Sequence, residues 1–409
     1  MESSALSLPA RSRAADLAQE SALPWQLAAV VFAATSVITG LIWDISWHMT
    51  IGRDSFLTPA HLAIYAGGAV SGLACGYEVL RRSFFASSPP TDGVTIWRYF
   101  NGPLGGWLCI WGATAMITSG PFDDWWHNAY GLDVKIISPP HAVLALGFIA
   151  ILTGALVMAT AQQSRAMPTH AGDPAPDSIA ATSWPDTGAR GASWTVAYAS
   201  GLVLSMLAIF TTEYADRVLM HSGIFYAVAA LVFPFALVSA GRAVRLRYPA
   251  TAAAAIYTVI MCIQLWILPL FPGSPKLGPI LQQITHMVPL DFPLLVMVPA
   301  FVLDLLLRRT ERTGSWKRAA LLGVAFLAVF AAVQWPFANF LMTDGARNAL
   351  FRADNFPYMV PADWLGPKGL FMTEPASTTL RLFGVAGVLS ILSARAGLAW
   401  GNWLRSVRR

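Results

Sequence analysis

Charge and thiols are what this 409-residue chain has least of. Only 12% of its residues are Asp, Glu, Lys or Arg, roughly half the share of a soluble globular chain. Too few charges are present to clothe a water-facing surface, so an ordinary soluble domain is excluded. The three cysteines, Cys75, Cys109 and Cys262, fall in apolar runs and form no C-x-x-C pair, which argues against a disulfide framework or a thiolate metal site. No P-loop, G-x-G-x-x-G turn, H-E-x-x-H or G-x-S-x-G occurs, leaving nucleotide hydrolysis, zincin proteolysis and serine hydrolysis without support. The net charge is +5, but the basic residues gather into no stripe, so nucleic acid is not an expected partner. The first residues lack a basic-then-apolar run ending in small residues, so 1–24 is read as a retained cytoplasmic tail and the first span as the insertion signal.

Apolar residues fill what charge leaves: 56% of the chain is hydrophobic and 16 residues are Trp. At about 20 apolar residues per crossing, the expectation is an all-α, polytopic transmembrane helical bundle of ten spans. They lie near 25–47, 58–80, 103–120, 138–160, 194–212, 220–240, 250–270, 288–307, 317–341 and 377–397. Placing both termini in the cytoplasm puts 19 of the 27 Lys and Arg on that side, as the positive-inside rule demands. In a bacterium the other face is periplasmic and the membrane is the inner one. Residues 25–160 are then a four-helix part and 194–409 a six-helix part, joined by a flexible cytoplasmic linker at 161–193, rich in Pro, Ala, Ser and Gly, with His170 solvated. An aromatic, Pro-rich outer loop at 342–376 reads as a folded lid.

One pattern occurs twice in the first four spans, as an internal helix-loop-helix repeat. Asp44, His48 and His61, and again Asp123, His127 and His141, follow D-x2-W-H-x3-G-x-D-x3/4-[TS]-P-x-H. Asp and first His, four apart, share a helix face. Thr58 or Ser138 is placed to cap the next helix, Pro59 or Pro139 takes its first position, and His61 or His141 falls in its first turn. Each corner thus offers one carboxylate and two imidazoles at the outer end of two spans, a donor set suited to copper, zinc or iron. Asp54 and Asp133 read either as outer acceptors that fix an imidazole tautomer or as turn residues after Gly52 and Gly131. For the six main residues the competing reading is a structural Asp–His hydrogen bond at each corner.

The spacings D-x3-H-x12-H at 44/48/61 and D-x3-H-x13-H at 123/127/141 resemble the two successive intramembrane copper motifs of the C subunit of copper membrane monooxygenases, the family of particulate methane and ammonia monooxygenase. The resemblance covers roughly residues 25–160. It implies copper at both triads, oxidation of a small apolar substrate with O2, and partner subunits of the A and B type. Asp123 departs from the Asn that commonly leads the second motif in the methane enzymes. The chain is longer than the family's C subunits, and no strand block like the cupredoxin domains of the B subunit occurs in it.

In the rear part Glu213, Asp216 and His221, and separately His286 and Asp291, are weaker candidates whose spacing does not match. An ion pair with Arg217 competes with a ligand role for the first three, and core or interface polarity for His286 and Asp291. Two functions follow: a copper-dependent membrane oxygenase or its subunit, and a copper or zinc carrier that captures metal at its outer face. A carrier needs polar steps through the membrane, yet Glu78 is the ionisable residue that stands out below the corners.

Overall fold

In the computed structural model the described residues are 23–52, 55, 57–86, 93–131, 138–166 and 187–407. They form ten α-helices and one small hairpin. The helices are α1 (Trp25–Thr50), α2 (Pro59–Phe84), α3 (Leu104–Tyr130), α4 (Pro139–Arg165), α5 (Thr187–Phe210), α6 (Gly223–Ala243), α7 (Pro249–Ile267), α8 (Met297–Arg309), α9 (Ser315–Leu341) and α10 (Ala376–Ser406). Eight are long and apolar enough to cross a membrane, and the chain is a multi-pass membrane protein in outline. The other two are α3, which ends in a Trp- and Asp-bearing stretch, and α8, only 13 residues long.

Proline sets many of the starts. Six helices begin at or directly after one, at Pro24, Pro59, Pro103, Pro139, Pro249 and Pro375, because proline's fixed φ suits the first turn and its missing N–H is not needed there. In the front part α1 pairs with α2 and α3 with α4, and α2–α3 and α1–α4 contacts close the unit. Glycines let α3 and α4 touch along their backbones. A Cβ on Gly112 would stand 2.7 Å from the Gly147 carbonyl and one on Gly147 2.9 Å from that of Gly112. Close approach of this kind is the usual basis of helix association in lipid, where apolar burial alone gives little. In the rear part α10 lies along α6 and α9, while α5, α7 and α8 complete the bundle. Asp304 of α8 caps α7 from outside, accepting from the backbone N–H of Ala250 (3.0 Å) and Thr251 (2.9 Å).

Several boundaries differ from those expected. Helix α4 runs on to Arg165 and α5 begins at Thr187, so the expected linker is helical at both ends; residues 167–186 of it, with His170, lie outside the described residues. Between α2 and α3 a hairpin pairs β1 (Val94–Ile96) with β2 (Phe100–Gly102). Its turn holds Trp97 and Arg98 at φ 49 and 67, the left-handed pair that suits a tight hairpin.

The largest departure is at the eighth expected span. Helix α8 starts at Met297 instead of near 288. Pro289 and Pro293 remove two N–H donors and bias the residues before them to extended backbone. Residues 287–296 run through the protein as irregular chain, with Val288, Leu290, Leu294 and Val296 buried. Such backbone is tolerated at membrane depth only where protein satisfies it. Here side chains do so. Ser46 donates to the Val288 carbonyl (2.6 Å) and Thr50 accepts from the Val288 N–H (2.8 Å). Gln264 holds Leu290 through both its amide atoms, Tyr257 accepts from Leu294 and Gln334 from Leu295.

Candidate metal corners

Each corner is made by the last turn of one helix and the first turn of the next. Asp44 and His48 end α1, and Thr58 caps α2, its hydroxyl accepting from the His61 N–H at 3.3 Å. Asp123 and His127 end α3, and Ser138 caps α4 in the same way through His141 at 3.4 Å. The cap fixes where the second His enters, and the i, i+4 spacing fixes the first. All six residues therefore meet in two groups at one end of the four-helix unit.

In the first corner His61 Nε2 lies 3.2 Å and His48 Nε2 3.9 Å from Asp44 Oδ1. In the second, His127 Nε2 lies 3.4 Å from Asp123 Oδ2 and His141 Nε2 3.6 Å from Oδ1. Donor atoms about 2.0 Å from a tetrahedral ion stand about 3.3 Å from one another, so these separations are close to those of a ligand set, and somewhat wide for it. Among the described residues no group of three or more His, Cys, Asp or Glu is disposed to hold an ion as it stands.

Protonation makes the arrangement more informative than the distances. His61 Nδ1 is 3.1 Å from the Ser55 carbonyl and His127 Nδ1 3.2 Å from that of Gly131. A carbonyl only accepts, so each Nδ1 carries the proton, and in the neutral ring Nε2 is then an acceptor nitrogen. That nitrogen faces a carboxylate oxygen. Two acceptors opposed in this way call for a cation between them, either a proton on the imidazole or a metal ion. Asp44 Oδ1 and Asp123 Oδ1 are moreover buried oxygens with no hydrogen bond of proper geometry. The donor set, the orphaned oxygens and the tautomers all fit a bound metal. Asp54 and Asp133 lie outside the described residues.

The weaker rear candidates do not assemble into a site. The acid that pairs with Arg217 is Asp291, at 3.2 Å, and not one of Glu213 and Asp216 for which that ion pair was expected; Arg217 also donates to the Ala353 and Asn355 carbonyls and lies over the Phe356 ring. Asp216 caps the 3-10 turn at Arg217–Leu219 through the Val218 N–H; burial and the nearby Asp291 charge push its carboxyl above the usual range. Glu213 sits exposed on the preceding turn. His221 is sandwiched between Trp335 and Phe371, with ring centroids 4.1 and 3.7 Å away, and burial holds its imidazole below the ordinary value. His286 is exposed beside the Thr285 hydroxyl. Sequence reasoning missed the clasp around Arg217 and the polar side chains that hold 287–296. The signal for the latter was glutamine within apolar runs, at Gln264 and Gln334.

No family model, no curated protein and no solved structure matches this chain.

Proposed function

We propose that this chain is a bacterial inner-membrane protein that binds metal, copper before zinc or iron, at Asp44/His48/His61 and Asp123/His127/His141, with both corners on the periplasmic side. In the further reach of this reading it oxidises, or helps to oxidise, a small apolar substrate with O2, beside subunits of the A and B type. The carrying observation is the opposition of an imidazole Nε2 and a carboxylate oxygen, with the other ring nitrogen tied to a backbone carbonyl, in both corners. Copper bound there would supply O2 activation. Asp44 and Asp123 would balance its charge, the Ser55 and Gly131 carbonyls would keep His61 and His127 in the ligating tautomer, and the apolar helix walls would limit water while admitting a substrate dissolved in the bilayer.

A conduit for metal is the less favoured reading. Glu78, far below the first corner, is already bound by Arg81, Arg82 and Gln26, which leaves no carboxylate step below the corners among the described residues of the four-helix part. Metal analysis of purified wild type beside His61→Ala and His141→Ala separates the cases. Each substitution is expected to remove the copper of its own corner, and Asp123→Asn, which keeps an oxygen donor, to have the milder effect. Full copper in the double His variant would make the corners structural. Zinc alone in the wild type would favour the metal-handling reading.

A further inference from the structure

Beyond the last turn of α2, at the end of the front unit opposite the corners, the 94–102 hairpin holds a conformation that its sequence does not favour. Of three non-glycine residues with positive φ among those described, two are Trp97 and Arg98, neighbours at its tip. Asn-Gly would take that pair of angles without crowding, whereas a Trp there is a steric outlier. Strain of this kind, kept where the surroundings enforce it, points to a use for the side chains it presents. At this tip they are an indole 75% exposed and, on Tyr99, a phenol 71% exposed.

The hairpin is firmly held. The Asn101 N–H donates to the Ser83 hydroxyl at 2.8 Å and Trp107 Nε1 to the Val94 carbonyl at 3.0 Å, and a Cβ on Gly102 would stand 2.5 Å from Val79 Cγ2. Helices α2 and α3 therefore grip it from both sides. Where its tip lies follows from the rings. Leu73, Tyr77, Leu80 and Phe84 recur every three or four residues along one face of α2, and each is about half exposed or more. On a helix long and apolar enough to cross a membrane, such a stripe meets lipid. Phe84 ends the stripe and touches Phe100 of the hairpin, with centroids 5.8 Å apart, and Phe100 touches Trp97 at 6.3 Å. The indole thus extends the lipid-facing stripe past the helix end. Its height follows from length: the 26 residues of α2 rise about 39 Å, more than a hydrocarbon core of about 30 Å, which leaves the last turn and the hairpin at the headgroup layer.

We propose that the 94–102 hairpin is an interfacial anchor whose tip residues, Trp97 and Tyr99, lie among the headgroups and upper acyl carbons of the leaflet around α2. Amphipathic rings are the side chains that settle at this depth. Anchors of this kind set the height and tilt of the helices that carry them, here α2 and α3. The anchor needs the chain to be a membrane protein and owes nothing to the metal corners.

Two measurements test it. In nanodiscs, a phospholipid carrying a diazirine at its headgroup should label residues 97–99 of the wild type, and one carrying it at the acyl terminus should label residues 73–80, both read by peptide mass spectrometry. Label on 73–80 with none on 97–99, or photoadducts joining 97–99 to a second copy of the chain in place of lipid, would overturn the anchor. The second measurement is thermal melting of the double variant Trp97→Asn with Arg98→Gly, which keeps the turn and removes the indole. In amphipol, where no headgroup layer exists, its melting temperature should equal or exceed that of the wild type, and in nanodiscs it should fall below. Tyr99→Ser, which leaves both positive-φ residues in place, should likewise lose more in nanodiscs than in amphipol. The same difference from wild type in both media, for both variants, would overturn the anchor as well.

Discussion

The two corners carry the same three chemical groups on the same helix-start grammar, yet one is roofed and the other open. Over the first lie two segments of the rear part. The Lys276 N–H donates to the Ile51 carbonyl and the Tyr358 N–H to that of Met49, both from the segments that follow α7 and α9. Nothing comparable covers the second among the described residues. Two positions account for the difference. In register with Ser46 and Thr50, both fully buried and bonded to Val288, the second corner has Trp125 and Ala129, both exposed. A hydroxyl can satisfy foreign backbone; an indole at the rim and a methyl cannot. Side-chain exposure follows for the Asp and second His, 19 and 22% in the first corner against 32 and 39% in the second. The first His reverses the order, at 48% for His48 and 26% for His127. Identical ligand patterns thus do not imply identical surroundings, because the covering is written in residues between the ligands.

The strongest way to break the comparison is at its paired glycines. Gly52 and Gly131 both have positive φ, 76 and 92, so alanine strains the backbone at either, at about 1–3 kcal/mol. Only Gly52 is crowded: a Cβ there would stand 1.9 Å from the Tyr358 hydroxyl, whereas at Gly131 none of the described residues lies within 4 Å. Overpacking adds about 1–3 kcal/mol. Gly52→Ala should therefore lower the melting temperature in detergent clearly more than Gly131→Ala. Equal losses would mean that the roof yields freely. Next in size is Thr50→Val, which leaves the buried Val288 N–H without its acceptor at about 1–3 kcal/mol, while Ala129→Val should be near neutral. A melt showing no gap between these two would deny the hydroxyl its anchoring role.

The smallest effect is one of pH. His221 stacks on Phe371 of the covering loop, and burial holds its imidazole below the ordinary value. The unfolded chain takes up that proton near pH 6.5 or about there, the folded chain only lower down. The stability tied to neutral His221 is thus complete above that range and lost as pH falls through the folded value. Asp216, pushed up by burial and Asp291, acts oppositely: its contribution is lost as pH rises through its raised value. Acidification from about pH 7.5 to about 5.5 should lower the melting temperature slightly, and His221→Phe should flatten that slope. An unchanged slope would remove His221 as its source.

Helices were legible where prolines and apolar runs coincide, as at Pro59, Pro139 and Pro249. The corners were legible because their grammar is local: a cap, a proline and an i, i+4 pair. The hairpin at 94–102 was not, since Trp97 and Arg98 adopt positive φ without the Gly or Asn that normally announces it. The start of α8 was misplaced because an apolar run with two prolines resembles a span until its partners are known. Those partners, Ser46, Thr50, Tyr257, Gln264 and Gln334, come from three other helices, and no window around 288 contains them. The 342–376 loop that supplies Tyr358 reads as a lid in sequence, but where the roof attaches was hidden for the same reason: Ser46 and Thr50 look like ordinary helix residues.

The irregular run at 287–296 also bears on how the chain enters a bilayer. Helix α8 rises about 20 Å, short of a hydrocarbon core of about 30 Å. The rest of the distance falls to backbone whose polar groups are met by α1, α7 and α9. Presented alone to the insertion machinery, residues 287–309 would bring three prolines, Asp291 and Asp304 without those partners, and an Asp at mid-membrane costs about 2.5–3.5 kcal/mol. Gln334, which accepts from Leu295, is not synthesised until α9 emerges. Ser46, Thr50, Tyr257 and Gln264 precede the segment in the chain, so only the Leu295 N–H is left waiting for a helix made after it.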